Sequence, residues 1–211
     1  MPEAIPLVDR AIREPIELVA YDPAWPRAFY EERDRLLALF PTKLLAIEHI
    51  GSTAVPGMPA KPIVDILAGV ESMSVADALF APILASGYTT SRTFNEMLSD
   101  RRWFMRVIGG RRSHHLHIVR FEGPVWRRHM LFRDCLRARP TVAEDYARLK
   151  ADLALQHRHD REAYTEAKSA FVASVVESPN TSIEPTAKGL RPSSAAHVKP
   201  QAAQMSDPAR R

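Results

Sequence analysis

The sequence predicts an α/β (α+β) fold, and three stretches carry that reading. An apolar run from Leu44 to Ile50 reads as a buried strand that breaks at Gly51-Ser52-Thr53; after a Pro- and Gly-punctuated loop, Lys61-Pro62 leads into a second apolar run holding one acid, Asp65. Arg102 to Ile108 alternates in polarity, turns at Gly109-Gly110 and continues through Ser113 to Phe121, the pattern of a hairpin. From Pro124 onward apolar residues recur three or four apart, which predicts helices stacked as a C-terminal layer.

Taken in order, residues 1 to 15 form a mixed, proline-containing N-terminal arm, and Ile16 to Tyr21 has the composition of a short strand. Asp22-Pro23 is a helix start, with Asp22 as N-cap and Pro23 at the first helical position. Trp25, Phe29, Leu36, Leu37 and Phe40 then recur at near-helical spacing up to Pro41. After the Asp65 strand, Ser74 is expected to cap a helix through Ala78, Leu79, Ile83 and Leu84 that stops at Ser86-Gly87; a helix between strands is what makes the layout α/β. In the hairpin, Trp103, Met105 and Val107 share one face, and Arg102, Phe104 and Arg106 the other. Its second strand sets Leu116 and Ile118 against His115 and His117.

Three helices are expected at Pro124–Arg139, Val142–His157 and Asp160 to about Glu177. Residues 178 to 211 hold Pro179, Pro185, Pro192, Pro200 and Pro208 among Ser, Ala, Thr and Gln, too few large apolar groups to offset the entropy of ordering, so a disordered basic tail is predicted. The expected organisation is an arm, one domain over residues 16 to 177, and that tail.

A chain of 211 residues with 45% hydrophobic content can bury one sizeable core. The formal charge is +4, but Lys188, Arg191, Lys199, Arg210 and Arg211 lie in the tail against only Glu184 and Asp207, so bulk charge carries no strong nucleic-acid signal. The single cysteine, Cys135, excludes an internal disulfide, and its place in a helical pattern without a CxxC partner speaks for a buried thiol rather than a zinc knuckle. No apolar run approaches a membrane span, and Glu3, Asp9 and Glu14 stand where a signal peptide needs a basic start; a cytoplasmic protein without membrane contact is expected.

The chemistry-bearing residues concentrate between Glu48 and Val70. Gly51 permits close backbone approach, Ser52 and Thr53 supply hydroxyl and N–H donors, and Lys61 a cation, which together can hold a phosphate near the Asp65 carboxylate. An acid between Val64 and Ile66 is costly to bury alone; either a metal or a cleft explains it, or a structural ion pair with Lys61 or Arg106. His115 and His117 share a strand face, a spacing that serves a metal site or a wet sheet surface equally. Arg127, Arg128, Arg133 and Arg137 recur along one helix, either as a solvated face or with one or two reaching a phosphate, and Arg133-Asp134 reads as a structural pair. Tyr164 and Lys168 form an i, i+4 pair on a helix surface.

With EHIGSTAVPG, AKPIVDIL, HHLHIV, WRRHMLFRDCLRARP and DREAYTEAKSAFV in this order, the chain resembles the GrpB (UPF0157) family over residues 16 to 174. The resemblance implies a nucleotidyltransferase-like mixed β-sheet flanked by helices, in which Gly51 and Ser52 match the element that contacts a triphosphate and Asp65 the first metal-binding acid. Thr53, Lys61 and Arg106 are further candidates for nucleotide or phosphate contact, and the resemblance allows Tyr164 and Lys168 to line the cleft. That superfamily places a second acid two residues on, and here the position is Leu67. Asp65 with His115 and His117 is then the candidate metal set, for a divalent Mg²⁺ or Mn²⁺, or Zn²⁺, which imidazole favours. Glu48 and His49 flank the turn, and either can complete the set. The function implied is binding of a nucleotide or related phosphate ester, with metal-dependent nucleotidyl transfer to an acceptor the sequence does not identify. Because relatives occur fused to dephospho-coenzyme A kinase, the alternative is a non-catalytic module that binds a nucleotide or regulates a partner enzyme.

Overall fold

The structure, a computed structural model, describes residues 15–177; the expected arm and tail lie outside the described residues. Five strands form one mixed sheet with helices on both sides. They are β1 (Ala46–Ile50), β2 (Val64–Val70), β3 (Tyr88–Thr89), β4 (Arg101–Ile108) and β5 (Arg111–Arg120), arranged in the order β1-β2-β5-β4-β3. Only β2 and β5 run parallel; the other pairings are antiparallel.

Helix α1 spans Trp25–Leu39 and starts later than Asp22-Pro23 implies: Asp22 Oδ1 accepts from Ala24 N (2.8 Å) and its carbonyl from Trp25 N (3.1 Å), closing a turn before the helix, whose first turn holds Pro26. The strand expected at Ile16–Tyr21 reduces to one bridge, Val19 to Ala60, because Ile16 instead drops into a cluster with Leu153 and Tyr164. The next helical stretch is two short helices, α2 (Met73–Ala78) and α3 (Phe80–Ala85). Ser72 caps the first rather than Ser74, because it is the residue with extended backbone, and its Oγ accepts from Val75 N (3.4 Å). A single turn, α4 (Arg92–Glu96), precedes β4.

The C-terminal layer holds α5 (Pro124–Ala138), α6 (Pro140–Gln156), α7 (Arg161–Glu166) and α8 (Ser169–Glu177). Pro140 begins α6 instead of spacing it from α5, since a residue without an N–H is tolerated at the first helical position. Asp160 caps α7 by accepting from Ala163 N (2.9 Å), and the helix expected to run on to Glu177 breaks between α7 and α8.

Alternation along the strands divides the sheet into two chemically different faces. One presents Ile66, Leu116, Ile118 and Phe104 to Trp25, Phe29 and Leu36 of α1 and to Ala76, Leu79 and Ile83 of α2 and α3, forming the main core. The other presents Leu67, Val119 and Ile50 to Trp126 and Met130 of α5. Gly69 permits this second packing, since a Cβ there would meet the Phe121 ring at 2.8 Å. Cys135 is a free thiol and fully buried. Among the described residues no helix is long and apolar enough to cross a membrane.

Candidate functional site

The turn after β1 brings the predicted pieces together. Gly51 has φ +71° and ψ −171°, a backbone region that side chains rarely enter. A Cβ at Gly51 would collide with Asp65 Oδ2 and stand 3.1 Å from Asp65 Cβ, so the glycine is what lets the Ser52–Ala54 turn lie against the carboxylate. In the parallel β2/β5 ladder Asp65 is opposite His115 and Leu67 opposite His117, so the two imidazoles and the acid stand on one sheet face. His115 Nδ1 lies 3.0 Å from Asp65 Oδ1.

The electrostatics follow from that contact. Burial pushes the Asp65 carboxyl up, but the His115 hydrogen bond and the charges of His115, His117 and Lys61 outweigh it and hold the group below the usual carboxylate range. Burial drives the His115 imidazole down, against the pull of Asp65. A carboxylate can only accept, so a neutral His115 donates from Nδ1 and keeps a bare lone pair on Nε2. That Nε2 is buried without a hydrogen-bond partner, as is His117 Nδ1. The Asp65 side chain is 30% exposed, so solvent still reaches the carboxylate.

The far wall of the cleft is cationic and comes largely from helices. Lys150 on α6 donates from Nζ to Ser52 Oγ (3.0 Å) and to the Pro59 carbonyl, with the Tyr146 ring 5.1 Å away. Lys61 and Lys168 face one tyrosine, their Nζ atoms 5.2 and 4.1 Å from the centre of the Tyr164 ring. Burial and the charges of Lys168 and Arg161 push Lys61 down to about 7, although Asp65 pulls the other way. Burial with Lys168 and Lys61 lowers Lys150 to about 7, and burial lowers Lys168 to about 8. Asp65 is the carboxylate that pulls Lys61 and Lys168 back up. The sequence carried no signal for Lys150, while Lys168 was open to helix-surface packing or, by the family resemblance, to a place beside the site.

Other predicted candidates are placed elsewhere. Arg106 pairs with His114 in the ladder, which puts it on the opposite face, where it forms an ion pair with Glu32 instead of meeting Asp65. The Thr53 hydroxyl is buried, bonded to His49 Nε2 (3.0 Å) and to the Ile63 carbonyl (3.4 Å), and therefore braces the turn. His49 points to the α1 face and stacks on Phe29 at 4.8 Å; burial pushes it down to about 4. Glu48 accepts from Arg133 Nη1 (2.7 Å), so neither residue beside the turn joins Asp65. Arg133 also donates to Asp134 (2.8 Å), as predicted, and Arg137 donates to the Ala54 carbonyl (2.9 Å). Arg127 and Arg128 are exposed.

The donor set does not fit a three-ligand metal ion as arranged. Asp65 and His115 bond to each other, His117 lies tilted against the His129 ring with ring centres 5.8 Å apart, and Leu67 is fully buried against Ile50, Val119, Trp126 and Met130. Among the described residues no group of three or more His, Cys, Asp or Glu side chains could hold a metal.

Fold and cleft together define a mixed α/β protein with a lysine-walled cleft built on a Gly-Ser turn and an Asp–His pair. Residues 15–178 match the model of the GrpB protein family, and the chain belongs to that family. It is 34% identical to the glutamate-rich protein GrpB of Alkalihalophilus pseudofirmus over 75% of this chain and 92% of that protein. It is 38% identical to the UPF0157 protein YqkA of Bacillus subtilis over 77% of this chain, but spans 46% of that relative's length. A crystal structure of conserved protein GrpB from Enterococcus faecalis superposes with a TM-score of 0.67 at 36% identity, over 76% of this chain and 94% of that one. Dephospho-CoA kinase of Mycobacterium tuberculosis matches at 34% identity over 81% of this chain and 47% of the kinase.

Proposed function

We propose that the cleft binds a nucleotide or related phosphate ester, with the phosphates against Ser52, Lys61, Lys150 and Lys168. One observation carries this reading: buried Lys150 reaches Ser52 while half-buried Lys61 and Lys168 converge on the Tyr164 ring, and Asp65 is the carboxylate that favours the charge of the latter two. Proteins rarely bury like charges without a partner, and a polyanion is the partner that would neutralise them. Nucleotidyl transfer is the reaction class the remaining groups serve. An acceptor oxygen would attack phosphorus as the bond to the leaving phosphate breaks, its proton passing to solvent and the lysines neutralising the departing charge. No step is routed through a metal, because the donors do not fit one.

The second reading is a non-catalytic module that binds the same ligand and serves a partner enzyme. Leu67 supports it, since the superfamily's second acid is replaced here by a buried core residue, and so does the match to mycobacterial dephospho-CoA kinases.

Calorimetric titration with tripolyphosphate and with nucleoside triphosphates tests the binding reading. Lys168→Met is expected to weaken both by about 10-fold or more, the worth of one charge-assisted contact, and unaltered affinity in that variant would remove the cleft as the binding site. Transfer of label from α-labelled nucleotides to any component of a cell extract separates enzyme from module.

A further inference from the structure

Beside the Asp65–His115 pair, on the β4 side of β5, stands an aromatic row. The Trp103 ring meets the His115 ring at 5.3 Å and 59°, and Phe94 of α4 meets Trp103 edge-on at 5.5 Å and 85°. Trp103 lies opposite His117 in the β4/β5 ladder, so it rises from the same face as Asp65. With strands about 4.8 Å apart, β4 stands two strands, or ~10 Å, from the acid on β2. Trp25 and Trp126 are buried at 6% and 7% exposure, whereas Trp103 keeps part of its surface open, and Phe94 is 37% and Met97 76% exposed.

The ring is fixed without being consumed by the fixing. β3 pairs with β4 only at Arg106 and Met105, so the main chain of Trp103 lies past the end of its neighbour strand. The side chain of Asn95 takes the neighbour's place: Oδ1 accepts from Trp103 N (2.7 Å), and Nδ2 donates to the Trp103 carbonyl (2.8 Å) and to Thr90 Oγ1 (2.6 Å). Thr90 Oγ1 in turn donates to the same carbonyl (2.5 Å). Asn95 is 5% exposed, so this clamp is an interior one. Segment 90–98 is thus anchored by an amide to the Trp103 backbone, which leaves the indole held in place beside the catalytic-type pair. A rigid aromatic surface so prepared costs little ordering entropy when a planar ring lands on it.

We propose that Trp103, backed by Phe94, is a stacking shelf for the planar heteroaromatic ring of the ligand, so that the cleft takes nucleotides in preference to phosphate compounds without a base. This rests on the anion-binding reading above: the phosphates lie toward Lys61, Lys150 and Lys168, the sugar crosses Asp65 and His115, and the base reaches Trp103. Stacking on an aromatic side chain tolerates any base, so the shelf predicts selection for a base over none, and weak discrimination among bases.

The test compares tripolyphosphate, which has the charge and no ring, with nucleoside triphosphates on the unmodified protein, Trp103→Ala and Trp103→Phe. The unmodified protein should bind the nucleotides about 5- to 100-fold more tightly than tripolyphosphate. Trp103→Ala should abolish that preference and leave tripolyphosphate affinity unchanged, while Trp103→Phe retains most of it. In the unmodified protein nucleotide, but not tripolyphosphate, should quench the tryptophan emission and shield it from acrylamide, a readout independent of whether the alanine variant folds. Equal affinity for the two ligands, or quenching absent at saturation, overturns the shelf while the lysine site stands. Equal weakening of both ligands by Trp103→Ala also overturns it, by making the residue structural. Failure of tripolyphosphate and nucleotide alike to bind overturns the anion-binding reading itself, and the shelf with it.

Discussion

The two faces of the sheet both bury charge, and they handle it in opposite ways. Under α1, Glu32 is 3% exposed and is surrounded by Arg35 (2.5 Å), Arg106 and the Tyr88 hydroxyl (2.7 Å). Burial pushes the Glu32 carboxyl up, but Arg35, Tyr88 and Arg106 together hold it below its ordinary value. Both guanidiniums there contact the one carboxylate. On the other face Lys61, Lys150 and Lys168 are pressed down by burial, and the first two also by the charge of Lys168, with Asp65 as the counter-charge to Lys61 and Lys168. Paired buried charge is a device of folding; unpaired like charge costs stability and persists where a ligand will neutralise it.

The comparison can be broken by perturbing each face in turn. The largest effects are expected where a charge is left alone. Glu32→Gln strands Arg35 and Arg106 and should lower stability by about 3–5 kcal/mol in chemical denaturation, without altering tripolyphosphate affinity in the surviving folded fraction. Leu67→Asp supplies the second acid that the nucleotidyltransferase resemblance leads one to expect, but it sets a carboxylate among Ile50, Val119, Trp126 and Met130. A loss of similar size, about 3–5 kcal/mol, is expected, with no gain in metal affinity by calorimetry.

A middle effect is expected at the turn. Gly51→Ala must hold a backbone conformation that costs about 1–3 kcal/mol for a side chain, and its Cβ displaces Asp65 from His115. Denaturation should show the strain, and the imidazole nitrogen resonances of His115 should show loss of the Asp65 hydrogen bond.

The smallest effects on stability, and the most specific, belong to the lysines. Their folded pKa values of about 7 to 8 lie below the ordinary 10.5, so between those limits the unfolded chain binds more protons and stability rises with pH. Anion affinity runs the other way, because the cleft loses positive charge over the same interval. Melting temperature without ligand should therefore climb from pH 7 toward pH 9 while tripolyphosphate affinity falls, and binding at pH 8 should take up protons when measured in buffers of different ionisation enthalpy. Lys168→Met should flatten both trends. If affinity is unchanged from pH 7 to 9, the lysines do not contact the anion.

Local pattern was enough for β1, the Gly51-Ser52 turn, β2 and the β4/β5 hairpin, because apolar runs and alternation are properties of neighbouring residues. Strand parity also placed His115 and His117 on one face. It did not say which face Thr53 and Arg106 would join. Both carried the right chemistry and turned the other way, Thr53 into a latch with His49 and Arg106 onto Glu32. Helix boundaries erred where a cap depends on one residue's backbone, as at Ser72, or where a proline began a helix, as at Pro140.

The sequence by itself determined the α/β class, the Gly-Ser turn with an acid on the following strand, and the family resemblance, all of which are written in contiguous residues. Tertiary structure alone brought Lys150 into the cationic wall and formed the aromatic row. Lys150 meets Ser52 from 98 positions away, and on its own helix it is one more lysine. The spacing that marks a helix face says nothing of what that face will be packed against. Burial and electrostatic crowding arise only between elements, so the lysines acquire their unusual acidity, and Trp103 its place beside His115, when the helices and the hairpin close around Asp65.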